Sequence, residues 1–156
     1  MQPMTRFLTV SEARAHMKDM IDTAQERIPV QIRRGDQRVV VVDGGLFAEL
    51  LSKTHAVPTP EVLAENDGWT IVLSGTPISA DSTDFNECIE DFLDALQEYA
   101  DDWVADVELR NARSHRANAP LVALVNNLTR DELRSWVLGR SGESNAESAA
   151  RTEGHV

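Results

Sequence analysis

The sequence predicts an α+β protein in two parts, a small head and a larger, mostly helical body. The head has the predicted element order β-α-β-β-α. The body is predicted to contain a β-hairpin or three strands, one long helix and further C-terminal helices. Three observations favour this fold class: a capped amphipathic helix that precedes a hairpin pattern, a second hairpin pattern after two prolines, and a long helical stripe of apolar residues.

Charge separates the same two parts. The chain has 156 residues and a formal net charge of −11. Residues 1–56 contain eight Lys/Arg and seven Asp/Glu, a balance of +1, whereas residues 57–156 contain seven and nineteen, a balance of −12. The charge of the whole chain argues against nucleic-acid binding, but the head by itself remains suited to an anionic partner.

The head begins with a predicted short strand, Met4–Leu8, and a helix that Thr9 caps. Glu12 follows Thr9 by three residues, which is the spacing of a capping box. Apolar residues then recur at helical spacing until Pro29 ends the helix, and they predict one buried stripe of Val10, Ala13, Met17, Met20, Ile21 and Ala24. Arg14 and Lys18 lie four residues apart and off this stripe.

The rest of the head reads as a hairpin and a short helix. Val30–Ile32 alternates as a strand, Arg34–Asp36 forms the turn, and Arg38–Val42 returns as an apolar strand. Two glycines then precede a short helix, Leu46–Lys53. A domain of this size buries little apolar surface, so we expect it to dimerise.

The body follows a proline-containing linker within Ser52–Glu61. Asn66-Asp67-Gly68 between the apolar runs Val62–Glu65 and Trp69–Leu73 predicts a hairpin, and Ile78–Ala80 could add a third strand. Further along, Leu121–Asn127 predicts a helix. A capping box that begins at Thr129 predicts another helix, which Gly139 ends.

The long helix is the clearest element of the body, with Thr83 or Ser82 as its expected cap. Its apolar stripe comprises Phe85, Ile89, Phe92, Leu96, Tyr99 and Trp103. Between Thr83 and Glu108 there are ten acids and no Lys or Arg. The acids lie opposite the stripe, and they form either a solvated surface or a complement to a basic partner. For the second alternative the candidate partner-binding residues are Asp91, Asp94, Glu98, Asp101 and Trp103, although a tryptophan packs more often in the core.

No motif indicates catalysis. The four histidines (His16, His55, His115 and His155) are scattered without metal-ligand spacing, and the glycines are turn residues. We expect Cys88, the single cysteine, to pack in the core. These features predict a non-enzymatic protein without cofactor or metal. One cysteine, no signal-like start and no apolar run near 18 residues predict a cytoplasmic protein that does not cross a membrane.

The segment Thr9–Leu51 resembles the N-terminal domain of Phd/YefM-type (prevent-host-death) antitoxins. The matching pieces, in order, are Ser11-Glu12-Ala13-Arg14, Ile32-Arg33-Arg34-Gly35, the valine strand and Phe47-Ala48-Glu49-Leu50. The run Asn66–Trp103 is weakly similar to the core of HicB antitoxins, which have a comparable aromatic strand, proline turn and acidic helix. The flanking strands that usually accompany that core are not evident in this sequence.

The resemblance implies a homodimer whose head binds operator DNA and represses its own operon, and a C-terminal part that binds a RelE-like or Doc-like toxin. Carried over by position, it implies DNA contacts by Arg14, Arg33 and Arg34; Lys18 and Arg6 are added from charge and placement. The resulting domains are 1–54 for dimerisation and DNA binding, 55–61 as linker, 62–140 for toxin or partner binding, and 141–156 as a disordered tail.

We therefore predict an antitoxin of a type II toxin–antitoxin system that neutralises a toxin, an mRNA interferase. An alternative is a stand-alone transcriptional regulator with an acidic oligomerisation or sensor domain. A third hypothesis is a scaffold protein whose head no longer binds DNA.

Overall fold

The computed structural model describes residues 4–139 and confirms an α+β protein with two small sheets and several helices. The chain separates into two compact units, with the boundary between Lys53 and Thr54. We call them the first and the second unit. No helix within residues 4–139 is long and apolar enough to cross a bilayer.

The first unit consists of a three-stranded sheet and three helices. Strand β1 is parallel to β2, and β2 is antiparallel to β3, in the order β1-β2-β3. Two parallel strands need a crossover connection, and two of the helices form it. The elements are β1 (Arg6–Phe7), α1 (Val10–Ala15), α2 (Met17–Gln25), β2 (Val30–Arg34), β3 (Gln37–Val41) and α3 (Gly44–Ser52).

The predicted first helix is in fact two helices. Its cap is as predicted, because the Thr9 hydroxyl accepts a hydrogen bond from the Glu12 amide at 3.1 Å. The chain then leaves helical geometry at His16 (φ −118°, ψ 27°), which ends α1 and precedes α2. The His16 ring stacks on Phe7 with 5.8 Å between ring centroids, a contact between distant positions that sequence periodicity does not contain. Helix α2 also ends before Pro29, at Gln25.

Only half of the predicted apolar stripe is buried. Three members of the stripe are buried: Ala13, Met20 and Ala24. Ala13 and Met20 form the core together with Phe7 and Val30. The other members of the stripe remain exposed: Val10 at 47%, Met17 at 52% and Ile21 at 46%. The expectation of one continuous buried stripe is therefore wrong, because a three-stranded sheet covers a narrow face of the two helices.

Helix α3 has a cap but little packing. The Asp43 carboxylate accepts a hydrogen bond from the Leu46 amide at 2.9 Å and starts the helix at Gly44. None of the nine residues of α3, all of which the structure describes, is buried. Glu49 accepts hydrogen bonds from Lys53 and Arg27, which lower the pKa of Glu49 to about 2 and connect α3 to the turn after α2.

The second unit has an antiparallel sheet of order β4-β5-β6 followed by helices. Strand β4 begins at Pro60, so the last two residues of the predicted linker belong to the sheet. The predicted hairpin is confirmed: Asn66 (φ 49°) and Asp67 (φ 64°) form its two-residue turn, with the positive angles that a type I′ turn needs. The elements are β4 (Pro60–Glu65), β5 (Gly68–Leu73), β6 (Ser79–Ser82), α4 (Phe85–Ala105), α5 (Val107–Asn111), a 3-10 turn (Arg116–Asn118), α6 (Ala119–Asn127) and α7 (Arg130–Val137).

Helix α4 packs on β5 and β6 through the predicted stripe. Ile89, Phe92 and Leu96 are fully buried. Cys88 is buried as expected, with its sulfur 3.5 Å from the carbonyl oxygens of Trp69 and Ala80. Burial raises the pKa of the Cys88 thiol, so this group is a packing residue with little thiolate character.

The cap of α4 differs from the prediction of Thr83 or Ser82. Asp84 is the capping residue, and its carboxylate accepts a hydrogen bond from the Glu87 amide at 2.8 Å. Strand β6 extends through Ser82, so the chain turns into the helix only after it. The Ser82 hydroxyl instead accepts a hydrogen bond from the Asp84 amide at 3.2 Å.

The last helix behaves as the sequence indicates. The Thr129 hydroxyl accepts a hydrogen bond from the Glu132 amide at 3.3 Å, which confirms Thr129 as the N-cap of this helix. Gly139, with φ +68°, follows the end of α7 in the left-handed conformation that glycine favours. The tail predicted at 141–156 lies outside the described residues.

We expect Asp84→Ala to lower the free energy of unfolding of the second unit by about 1 kcal/mol, because the Glu87 amide loses its acceptor. Thr83→Ala is the matched control, and it should change that energy by less than about 0.5 kcal/mol because Thr83 is exposed. Urea denaturation followed by tryptophan fluorescence measures both, since all three tryptophans (Trp69, Trp103 and Trp136) lie in the second unit. A larger loss for Thr83→Ala than for Asp84→Ala would contradict the assignment.

Candidate DNA-binding and partner-binding surfaces

The eight Lys/Arg of the first unit form two groups. The members of the first group are paired with carboxylates. Lys18 pairs with Asp22 at 2.7 Å, and Arg27 and Lys53 both pair with Glu49. The other group is exposed, and none of its members forms an ion pair with a residue in the range 4–139. It comprises Arg6, Arg14, Arg33, Arg34 and Arg38. The unpaired group contains four of the five predicted DNA-binding residues.

The candidates come from different elements. Arg6 lies in β1, and Arg14 lies in the last turn of α1. Arg33 and Arg34 end β2, and successive side chains of a strand point to opposite faces of the sheet, so these two arginines do not share a face. The resemblance implies DNA contacts by both arginines, whereas the sheet places them on opposite faces.

Lys18 is the candidate with the least free charge. It lies in the first turn of α2, on a different helix from Arg14. Its ammonium donates a hydrogen bond to Asp22, which raises the pKa of Lys18 and ties the charge to a carboxylate. Any DNA contact by Lys18 would have to compete with this pair.

Arg38 is a basic residue outside the set of predicted DNA-binding residues. It begins the apolar run of β3, and the strand register places it directly opposite Arg33. The signal was present in the sequence, because a two-residue turn at Gly35-Asp36 fixes which residues of the two strands face each other. Gly35, at φ +61°, supplies the left-handed conformation that this turn requires.

The acidic face of α4 is partly neutralised within its own unit. The Glu90 carboxylate accepts hydrogen bonds from Arg130 at 2.6 Å and Arg134 at 2.7 Å, both on α7. These contacts lower the pKa of Glu90, with the Arg130 hydrogen bond as the largest cause. Asp94, one of the predicted partner-binding residues, pairs with Arg130 at 2.9 Å. The arginines of α7 therefore neutralise part of the acidic face that was predicted to be available to a partner.

The remaining candidates of α4 divide into exposed acids and a packed aromatic residue. Asp91 and Glu98 are exposed, and neither has an ion-pair or hydrogen-bond partner among residues 4–139. Asp101 accepts a hydrogen bond from Gln97 at 2.9 Å. Trp103 is half-buried, and its indole N–H donates to the His115 carbonyl at 3.1 Å, so this side chain belongs to the packed side of α4 and not to its acidic face.

A small polar network surrounds that tryptophan contact. The Tyr99 hydroxyl lies 2.9 Å from Nδ1 of His115 and accepts a hydrogen bond from the Asn118 amide at 2.9 Å. The network joins α4 to the segment before α6 and accounts for His115 as a structural residue. Among residues 4–139, no group of three or more His, Cys, Asp or Glu is arranged to hold a metal ion.

Comparison with known proteins identifies a family whose model matches this chain. A family model of Phd-like proteins, described as "Antitoxin of toxin-antitoxin, RelE / RelB, TA system", matches residues 4–133. No curated protein matches the chain significantly. A crystal structure from Syntrophomonas wolfei subsp. wolfei, described as an antitoxin part of a proposed toxin/antitoxin system, is similar in fold with a TM-score of 0.67. It is 20% identical in sequence, and the similarity covers 85% of this chain and 96% of that one. The chain therefore belongs to this family of antitoxins of toxin–antitoxin systems.

Proposed function

We propose that this antitoxin neutralises a cognate toxin, an mRNA interferase, and represses its own operon by binding operator DNA as a homodimer. The observation that carries the proposal is the separation of free charge between the two units. The first unit holds five exposed arginines that have no ion pair among residues 4–139, and α4 of the second unit holds exposed acids. One unit is thus suited to phosphate, and the other to a basic protein surface.

The uncovered apolar surface of the first unit supports dimerisation. Val39 of the edge strand β3 is 56% exposed and Leu50 of α3 is 52% exposed. Val39 is paired with Ile32, whose side chain packs against the core, so Val39 belongs to the core side of the sheet and still lacks cover. An exposed apolar edge strand and a helix without buried residues are features that a second copy of the unit would cover.

Val39→Lys/Leu50→Glu should weaken self-association of the full chain, because charges replace apolar side chains in the proposed interface. Sedimentation velocity should show wild type at twice the 17.3 kDa chain mass and the variant shifted toward one chain mass. Val104→Lys in the second unit is the control, since Val104 is similarly exposed at 52% and lies outside the interface. A wild-type protein that stays monomeric at all concentrations would remove the dimer from the proposal.

Unpaired arginines in a dimer suit operator DNA for two reasons. Each arginine occurs twice about a two-fold axis, which matches the two half-sites of a palindrome. Guanidinium groups bind phosphate or take guanine bidentately, and they do so at lowest cost where no internal carboxylate must be displaced. Arg14 meets this condition, and so do Arg33, Arg34 and Arg6, whereas Lys18 does not.

Arg14→Ala and the double variant Arg33→Ala/Arg34→Ala should each weaken binding to a duplex from the chain's own promoter by roughly tenfold or more, since they remove two and four arginines from a dimer, respectively. An electrophoretic mobility shift at low salt measures this effect. Lys53→Ala is the matched control, because Lys53 carries the same charge but is paired with Glu49. If wild type shifts no duplex, the repressor role is contradicted. If all variants shift the duplex as wild type does, the assignment of these arginines to DNA binding is contradicted.

The acidic face of α4 supports binding of a toxin that itself binds RNA. A cleft that holds RNA is basic, so exposed carboxylates would attract it at long range and then cover it. Asp91 and Glu98 are available for this contact without internal rearrangement, whereas Asp94 would have to leave Arg130. RelE-like and Doc-like toxins are both candidates for the partner.

Expression of the small gene adjacent to this one should arrest growth, and co-expression of this chain should restore it. Asp91→Asn/Glu98→Gln should slow association with the purified toxin at low salt, on the order of tenfold, because steering depends on charge. Glu61→Gln/Glu65→Gln, which removes two exposed acids from β4, is the control with equal net charge.

The same experiment tests the alternative of a stand-alone regulator. A neighbouring gene that is harmless by itself, or that remains lethal with this chain present, would contradict toxin neutralisation. Family membership favours the antitoxin over the stand-alone regulator.

A further inference from the structure

The outward face of the first sheet carries three arginines. In β2, Val30 is buried and Ile32 packs against the core, so Arg33 must point away from it. The register places Arg38 opposite Arg33, and Arg6 beside Gln31, which lies on the same outward side. We call Arg6, Arg33 and Arg38 the arginine face. Arg34 has the opposite parity and does not belong to it.

This arrangement is unfavourable for the protein alone. Like charges directly opposite each other on antiparallel strands repel, and their Cβ atoms are about 4.5–5.5 Å apart. Within residues 4–139, neither Arg33 nor Arg38 forms an ion pair or a hydrogen bond that would offset the repulsion. Other cations of the same unit do have carboxylate partners, as Lys18 has Asp22. The opposed pair is therefore open to an anion from outside the chain.

We propose that Arg38 is a DNA-binding residue that holds a backbone phosphate together with Arg33 on the arginine face, with Arg6 as an outer contact. The proposal rests on the proposed DNA binding and adds to it a residue and a face. Two arginines that face each other in the strand register can both donate to one phosphate, and each guanidinium group can do so bidentately. Binding then removes the repulsion that the free protein carries.

The test is Arg38→Gln in the full chain, with a fluorescently labelled promoter duplex titrated at several salt concentrations. We expect affinity at about 0.15 M salt to fall on the order of tenfold. The slope of log K against log salt should become shallower, by at most about two, because in each protomer of the variant dimer Arg33 alone holds the shared phosphate. The thermal unfolding midpoint should stay equal or rise, since an unfavourable pair has been removed. A merely structural role of Arg38 would move that midpoint down.

Two further variants complete the test. Lys53→Gln removes an equal charge from an ion pair in the same unit and should leave affinity and slope as in wild type. Arg33→Gln/Arg38→Gln should lose less affinity than the product of the two single losses, because both residues hold one phosphate. If Arg38→Gln and Arg33→Gln/Arg38→Gln both lower the unfolding midpoint, Arg38→Lys decides between a structural role and a DNA-binding role of Arg38. Because Arg38→Lys keeps the charge, it should retain the wild-type salt slope.

The outcomes separate this inference from the proposed function. If wild type binds the duplex and Arg38→Gln binds with equal affinity and slope, the role of Arg38 is overturned while DNA binding stands. If Arg38→Lys is as weak and as flat in slope as Arg38→Gln, charge is not the cause and the role is also overturned. If wild type shows no salt-dependent binding, the proposed DNA binding fails first.

Discussion

Each unit of this protein covers one face of a three-stranded sheet, and most other features depend on that constraint. In the first unit, burial of Phe7 and Val30 commits one face to the core, so alternate residues of the strands are directed outward. In the second unit, α4 covers one face of β5 and β6 with Ile89 and Phe92. A helix whose apolar stripe is committed to a sheet must expose its opposite side, and in α4 that side is acidic.

The charged residues have different uses according to whether the fold supplies a partner. Arg130 and Arg134 pair with Glu90, and Lys53 pairs with Glu49, in exposed contacts that contribute little to stability. The five arginines of the first unit that have no ion pair among residues 4–139 contribute nothing of this kind, and the unit keeps a balance of +1. Exposed pairs mainly determine which charges remain available to another molecule. By this criterion the first unit is nearly neutral but keeps arginines that are available to a partner, whereas the second unit is strongly acidic.

Local patterns in the sequence predicted most elements well. Both hairpins follow from their turn residues, and the caps by Thr9 and Thr129 follow from capping-box spacing. The stripe of α4 follows from helical periodicity. Two boundaries differ from the prediction: α1 ends at His16, whose ring stacks on Phe7, and Asp84 caps α4 after β6 ends at Ser82. Helical spacing and capping preference allow several residues near each boundary and do not select among them.

The sequence by itself determined the fold class, the division of charge along the chain and the types of residue in each candidate surface. Only the tertiary structure decided which charges are free. It tied Lys18 to Asp22 and Asp94 to Arg130, and it turned Trp103 to the packed side of α4. It also placed Arg38 opposite Arg33 and Arg34 on the other face. The physical reason is that composition and periodicity fix where a side chain stands on its own element, whereas its electrostatic partner belongs to another element and is set by register and packing.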